Sequence, residues 1–150
     1  MKRKPLSVSL LISLGIGVIA GFLTFGSIEK YQEMYHPPLS PPGWVFPIVW
    51  LILYTLMGIA AYRIYMKNPK AEALKLYIIQ LAVNFLWPIF FFNLGWQLFA
   101  AVWILLLWYL VWLLIKEFAK IDQGAARLLI PYLIWLTFAT YLNIVIALHR

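Results

Sequence analysis

Four stretches of this chain contain no Asp, Glu, Lys or Arg: residues 5–28, 34–62, 76–115 and 128–149. Each is long enough to cross a lipid bilayer. A helix rises about 1.5 Å per residue, and about 20 residues span a hydrocarbon core of about 30 Å. Of the 150 residues, 65% are apolar and 11% charged, whereas soluble domains are about half apolar and about a quarter charged. A water-soluble core of this length cannot hide so much apolar surface. The expected class is all-α, a polytopic membrane protein.

The runs do not map one-to-one onto helices. Residues 34–62 open with Met34-Tyr35-His36-Pro37-Pro38-Leu39-Ser40-Pro41-Pro42-Gly43, a proline density that no helix interior accepts. The helix therefore starts near Trp44, with Pro47 in its first turn, where a missing N–H costs nothing. Residues 76–115 would make one helix about 60 Å long, so the run must fold back. Phe92-Asn93-Leu94-Gly95 has the turn chemistry, and Pro88 should kink the helix before it. The sequence predicts one domain, 1–150, holding a bundle of five transmembrane helices over roughly 5–27, 44–66, 75–92, 95–116 and 127–148. The first run follows Lys2-Arg3-Lys4, as in a signal peptide. It exceeds the usual apolar core of about 7–15 residues and lacks a small-x-small cleavage site, so a retained helix is expected. No internal repeat is visible, and five helices cannot form two equal inverted halves.

The net charge is +7 and cysteine is absent. Disulfides and thiolate sites are thereby excluded. Lys2, Arg3, Lys4, Arg63, Lys67, Lys70, Lys75, Lys116, Lys120 and Arg127 fall at one end of the five-helix arrangement; only Lys30 and Arg150 fall at the other. The positive-inside rule then places the N-terminus in the cytoplasm and the C-terminus outside. Because these residues occupy short loops between apolar runs, the charge reads as topology rather than as a nucleic-acid surface.

Ionisable groups inside a membrane mark ion or proton paths, and no charged residue or histidine lies in the interior of the predicted spans; His36 lies in a loop and His149 at the C-terminus. No HExxH, paired-carboxylate or Ser-His-Asp constellation is present, and no metal site is expected. What remains is aromatic and amide. Trp44, Trp96 and Trp112 sit at helix ends and suit headgroup anchoring. Trp103 and Trp108 need only packing or lipid-facing roles. Trp50, Tyr54 and Met57 share one helix face; so do Gln80, Asn84, Trp87 and Phe91, and so do Tyr132, Trp135, Ala139 and Asn143. An amide in lipid costs several kcal/mol unless it is hydrogen-bonded, so Asn84 and Asn143 should point inward and turn Trp87 and Trp135 with them. Two readings stand side by side: interhelical glue, or an aromatic-lined pocket for a flat apolar ligand. Gly17-x-x-x-Gly21 permits close helix approach, within the bundle or between subunits. Residues 28–43 are long for a bundle connection and read as an outer lid.

Three segments together resemble the translocator protein family, also known as the tryptophan-rich sensory proteins. They are Pro37-Pro38-Leu39-Ser40-Pro41-Pro42-Gly43-Trp44-Val45-Phe46-Pro47-Ile48-Val49-Trp50 with its continuation to Gly58, Gln80 through Phe91, and Pro131 through Asn143. The resemblance implies a five-helix bundle, commonly a homodimer, in the cytoplasmic membrane of a bacterium. It implies a ligand, protoporphyrin or an isoquinoline- or benzodiazepine-type molecule, and no resident cofactor. By resemblance the ligand residues would be Trp50, Asn84, Trp87, Trp135 and Ala139, with Tyr31, Pro41 and Leu142 as further contacts; Tyr54, which shares a helix face with Trp50, joins them. Some relatives are associated with light-dependent porphyrin breakdown, which would make Trp50 and Trp135 the reactive groups. Passive porphyrin transport and a scaffold role remain alternatives. Without a buried His or Cys, free-base porphyrin fits better than haem. The family's sterol pattern is broken here, since no Lys or Arg follows Tyr141 before Arg150, and no sterol site is expected.

Overall fold

The computed structural model describes residues 3–25 and 45–148. The expected lid, 28–43, lies outside the described residues. All regular structure among those described is helical: α1 (Arg3–Phe25), α2 (Val45–Lys67), α3 (Glu72–Pro88) with a π-helical turn (Ile89–Asn93), α4 (Gln97–Ala119), α5 (Gln123–Leu128) and α6 (Ile130–Leu148). Four stretches are long and apolar enough to cross a membrane: Ile48–Lys67, Glu72–Phe91, Gln97–Ala119 and Gln123–Leu148. Among the residues whose side chains are described, α1 adds a further apolar stretch, Leu6–Ile19. With α5 and α6 forming one span, the fold is a five-helix membrane bundle.

Three boundaries differ from those expected by three residues or more. The third helix begins at Glu72 rather than 75, the fourth runs to Ala119 rather than 116, and the fifth span begins at Gln123 rather than 127. A charge-free run marks the part in hydrocarbon, but a helix continues through Lys and Glu at the headgroups until a residue stops it. At Gln123 the stop is a polar cap: the Asp122 side chain accepts the Gly124 N–H at 3.3 Å. At Glu72 the helix follows Ala71 with no side-chain cap, after a turn in which the Asn68 side chain accepts the Lys70 N–H at 3.1 Å.

Two prolines reshape the long spans. Pro88 has no N–H for the Asn84 carbonyl. After it the α register is lost, the chain winds as a π turn, and the Leu94 N–H reaches back to the Ile89 carbonyl at 2.9 Å. Gly95, at φ +68°, then reverses the direction in a left-handed conformation that suits glycine. Pro131 likewise withholds a donor from the Arg127 carbonyl, and the fifth span, expected to be continuous, divides at Leu129.

The helices form a ring in the order α1, α2, α5/α6, α4, α3, with α1 closing against α3. α4 shows the logic. Ala100, Ile104, Leu107, Val111, Leu114 and Phe118 face inward at helical spacing, while Leu98, Val102 and Leu105 are exposed on the opposite side. A soluble protein does not present such a belt; lipid covers it. The α1–α2 contact is close. Ser9 Oγ donates to the Gly58 carbonyl at 2.7 Å. A Cβ on Gly17 would lie 2.6 Å from the Tyr54 ring, and one on Gly58 would lie 2.6 Å from Ser13 Oγ. Gly17 therefore packs within the bundle, which decides that half of the glycine pair.

At the basic end α2 is fastened to α5. Arg63 Nε lies 2.6 Å and Lys67 Nζ 3.2 Å from the Asp122 carboxylate, which is 6% exposed. The Arg63 hydrogen bond, seconded by Lys67, holds the Asp122 carboxyl far below the usual carboxylate range. A carboxyl with a depressed folded pKa stabilises the fold above its unfolded value, and the contribution is lost as pH falls through the folded value. We expect Asp122→Asn to cost about 1.5–3 kcal/mol of stability at neutral pH. In thermal melts of detergent-solubilised protein, the gap between wild type and Asp122→Asn should be constant above about pH 4 and narrow as the pH falls below it.

Candidate ligand site

The backbones of α2, α3 and α6 rarely approach one another. Large side chains fill the interval in three layers. The layer nearest the basic end is a hydrogen-bonded chain. Tyr54 Oη donates to Asn84 Oδ1. Asn84 Nδ2 donates to Tyr132 Oη at 2.6 Å, and Tyr132 Oη donates to Gln80 Oε1 at 2.8 Å. Gln80 Nε2 ends the chain 3.9 Å from Met57 Sδ. All five residues are buried, and Gln80 and Tyr132 have no exposure at all. Polar groups so deep in a membrane protein must satisfy one another.

The middle layer is aromatic. Trp50, half-buried on α2, has four rings around it. Tyr54 lies 6.0 Å away, Trp87 6.4 Å, Tyr132 6.4 Å and Trp135 6.3 Å between centroids. The Tyr132 and Trp135 contacts are edge-on, the geometry the ring quadrupoles favour. Trp87 stacks on Phe91 at 5.1 Å, and Trp135 touches Phe138 at 5.6 Å.

The third layer is polar again. Trp87 Nε1 donates to Asn143 Oδ1 at 2.9 Å, and Asn143 Nδ2 donates to the Gln97 carbonyl at 2.8 Å. The two expected inward amides, Asn84 and Asn143, are buried and hydrogen-bonded. Outside these layers, Trp103 and Trp108 do interhelical work: their indoles donate to the Val83 carbonyl at 2.8 Å and to Thr137 Oγ1 at 2.9 Å. Trp112 lies exposed near the basic end, with Lys116 Nζ 4.5 Å above its ring, an arrangement suited to the headgroup boundary.

The structure thus brings Trp50, Tyr54, Asn84, Trp87 and Trp135 together. Ala139 and Leu142 lie in the buried core on the same helix as Trp135. Tyr31 and Pro41 fall outside the described residues. Tyr132 and Gln80 are missing from the residues carried over by resemblance, yet they complete the polar layer. The signal for both is in the sequence: Gln80 stands four residues before Asn84, and Tyr132 three before Trp135, spacings that share a helix face. Chemically the arrangement offers π faces and a few uncharged hydrogen-bonding groups, the mixture that holds a flat, largely apolar molecule.

Removing the Tyr54 hydroxyl leaves Asn84 Oδ1 buried without that donor. Tyr54→Phe should destabilise the protein by about 1–3 kcal/mol, read as a lower melting temperature in detergent. Phe at Tyr65, an exposed residue, should leave it unchanged.

The model of the TspO/MBR family matches residues 8–149. The tryptophan-rich protein TspO of Chlorobaculum tepidum is 35% identical, with 97% of each chain covered. The tryptophan-rich sensory protein of Cereibacter sphaeroides is 39% identical over 77% of this chain and 73% of its own. The translocator protein of Homo sapiens is 36% identical over 87% of this chain and 80% of its own. Matches of this extent, joined to the five-helix bundle, make this an integral membrane protein of the sensory and translocator kind, and the chain belongs to the TspO/MBR family.

Proposed function

We propose that the protein binds a free-base tetrapyrrole, protoporphyrin, against the tryptophan layer around Trp50, and that occupancy of this site is what it senses or translocates. The observation that carries the reading is the half-buried Trp50 with rings from three helices at 6.0–6.4 Å. A macrocycle is a large flat π system, and indoles give it area at little entropic cost. Trp50, Tyr54, Asn84, Trp87, Trp135 and Ala139 would line the site, with Leu142 beyond them and Tyr31 and Pro41 contributed from outside the described residues. Smaller isoquinoline-type molecules would use the same faces.

A second reading has its own support. Trp50 and Trp135 meet edge to face at 6.3 Å, and both are half-buried. An illuminated porphyrin activates dioxygen, and these electron-rich indoles would be the oxidisable groups beside it. Dark titration with protoporphyrin, followed by tryptophan quenching, tests the binding reading. Trp50→Phe and Trp135→Phe should each weaken binding about 2–13-fold, as loss of a stacking contact worth about 0.5–1.5 kcal/mol implies. Unchanged affinity in both would move the site elsewhere. Illumination then tests the second reading: variants that bind but lose a light-dependent spectral change favour degradation.

We further propose a homodimer in a bacterial cytoplasmic membrane, with the N-terminus and the basic loops in the cytoplasm. The chain has no cysteine, so a single one reports cleanly. Lys70→Cys, in the exposed turn between α2 and α3, should react with a membrane-impermeant maleimide only after cells are opened. Labelling of intact cells would invert the orientation.

A further inference from the structure

Two hydrogen-bonded ties join α3 to α6 on either side of Trp135. At one, the Tyr132 hydroxyl accepts a hydrogen bond from Asn84 Nδ2 at 2.6 Å and donates one to Gln80 Oε1 at 2.8 Å, so one phenol clamps two successive turns of α3. At the other, Trp87 Nε1 reaches Asn143 Oδ1 at 2.9 Å, and Asn143 passes the connection to the Gln97 carbonyl. Tyr132 and Asn143 stand eleven residues apart on α6, about 16 Å along its axis. Trp135 and Ala139 fall between them. Close backbone packing between α3 and α6 does not set their separation, since the two helices rarely approach; side chains of fixed length do. Tyr132 is rigid, completely buried, and presents its ring edge to Trp50 at 6.4 Å.

We infer that the Tyr132 clamp, with Gln80 and Asn143, fixes the width of the tryptophan site and so selects ligands by planarity. The inference rests on the tetrapyrrole reading and adds to it a specificity determinant. Tyr132 and Gln80 act here as positioning residues: their hydroxyl and amide serve each other and Asn84 rather than the ligand. A planar macrocycle laid against the tryptophan layer needs one constant separation of α3 and α6, which the two ties supply. A macrocycle carrying a substituent on its inner nitrogen is pushed out of plane, and a separation held on either side of Trp135 cannot widen to take it. Loss of the hydroxyl releases one side.

The test uses the full-length protein in nanodiscs and two probes, protoporphyrin IX and its non-planar N-methyl derivative, titrated in the dark by tryptophan quenching. Wild type should prefer the planar probe by about tenfold or more, the scale of a steric discrimination. Tyr132→Phe and Gln80→Leu should bring the two affinities within about threefold, chiefly by tighter binding of the non-planar probe. A merely structural defect would weaken both probes alike and leave their ratio standing, which overturns the inference. Wild type that binds both probes equally overturns it as well, without need of any variant. If Tyr132→Phe and Gln80→Leu lose their cooperative melts, Asn143→Ser carries the same expectation at the second tie. Absence of quenching by either probe in wild type overturns the tetrapyrrole reading and this inference with it; binding without discrimination overturns the inference alone.

Discussion

An amide or a phenol in hydrocarbon must find a partner inside the protein, because lipid supplies neither a donor nor an acceptor, and each unmet group costs several kcal/mol. That requirement organises this bundle. The apolar residues cannot do so by themselves, since an exposed leucine on α4 is as much at home in lipid as a buried one. The polar groups discriminate: Tyr54, Gln80, Asn84 and Tyr132 have one another, and Asn143 has the Trp87 indole and the Gln97 carbonyl. Satisfying them fixes the rotation of α2, α3 and α6 about their axes.

Once those rotations are fixed, the tryptophans follow. Trp50 is four residues before Tyr54, Trp87 three after Asn84, and Trp135 three after Tyr132. On an α-helix these offsets place each indole one turn along the same face. Three polar residues that meet in one layer therefore bring three tryptophans together in the next. The aromatic site is a geometric consequence of the polar layer, which explains how a glue network and a binding site share residues without conflict. Glycine has the complementary part on the outer side of α2: without a Cβ, Gly17 lets α1 lie against Tyr54 and hold that ring from behind.

The basic end follows a different physical rule. There water and headgroups are at hand, and charged groups can be placed in pairs. Arg63 and Lys67 on α2 converge on Asp122, which also caps α5. One carboxylate thus begins one helix and ties another to it. The interior is fastened by uncharged hydrogen bonds and the end by ion pairs, as the change of solvent along the membrane normal demands.

By itself the sequence determined the class and the count of helices, because bilayer thickness sets a length that charge-free runs either meet or fail. It also determined that Asn84 and Asn143 face inward, because the cost of a bare amide in lipid does not depend on the details of the fold. The turn at Gly95 was readable for the same local reason. The helix starts at Glu72 and Gln123 are not legible in the charge-free runs, since absence of charge measures the membrane rather than the helix. The π turn after Pro88 and the division at Leu129 were settled only when the freed carbonyls met their surroundings. The tertiary structure alone decided that Tyr132 is shared by Asn84 and Gln80, that Trp50 is the centre of the aromatic layer, and that Gly17 packs inside the bundle. Each of these is a meeting of helices distant in sequence, and periodicity along one helix says which face is special but not which other face it meets.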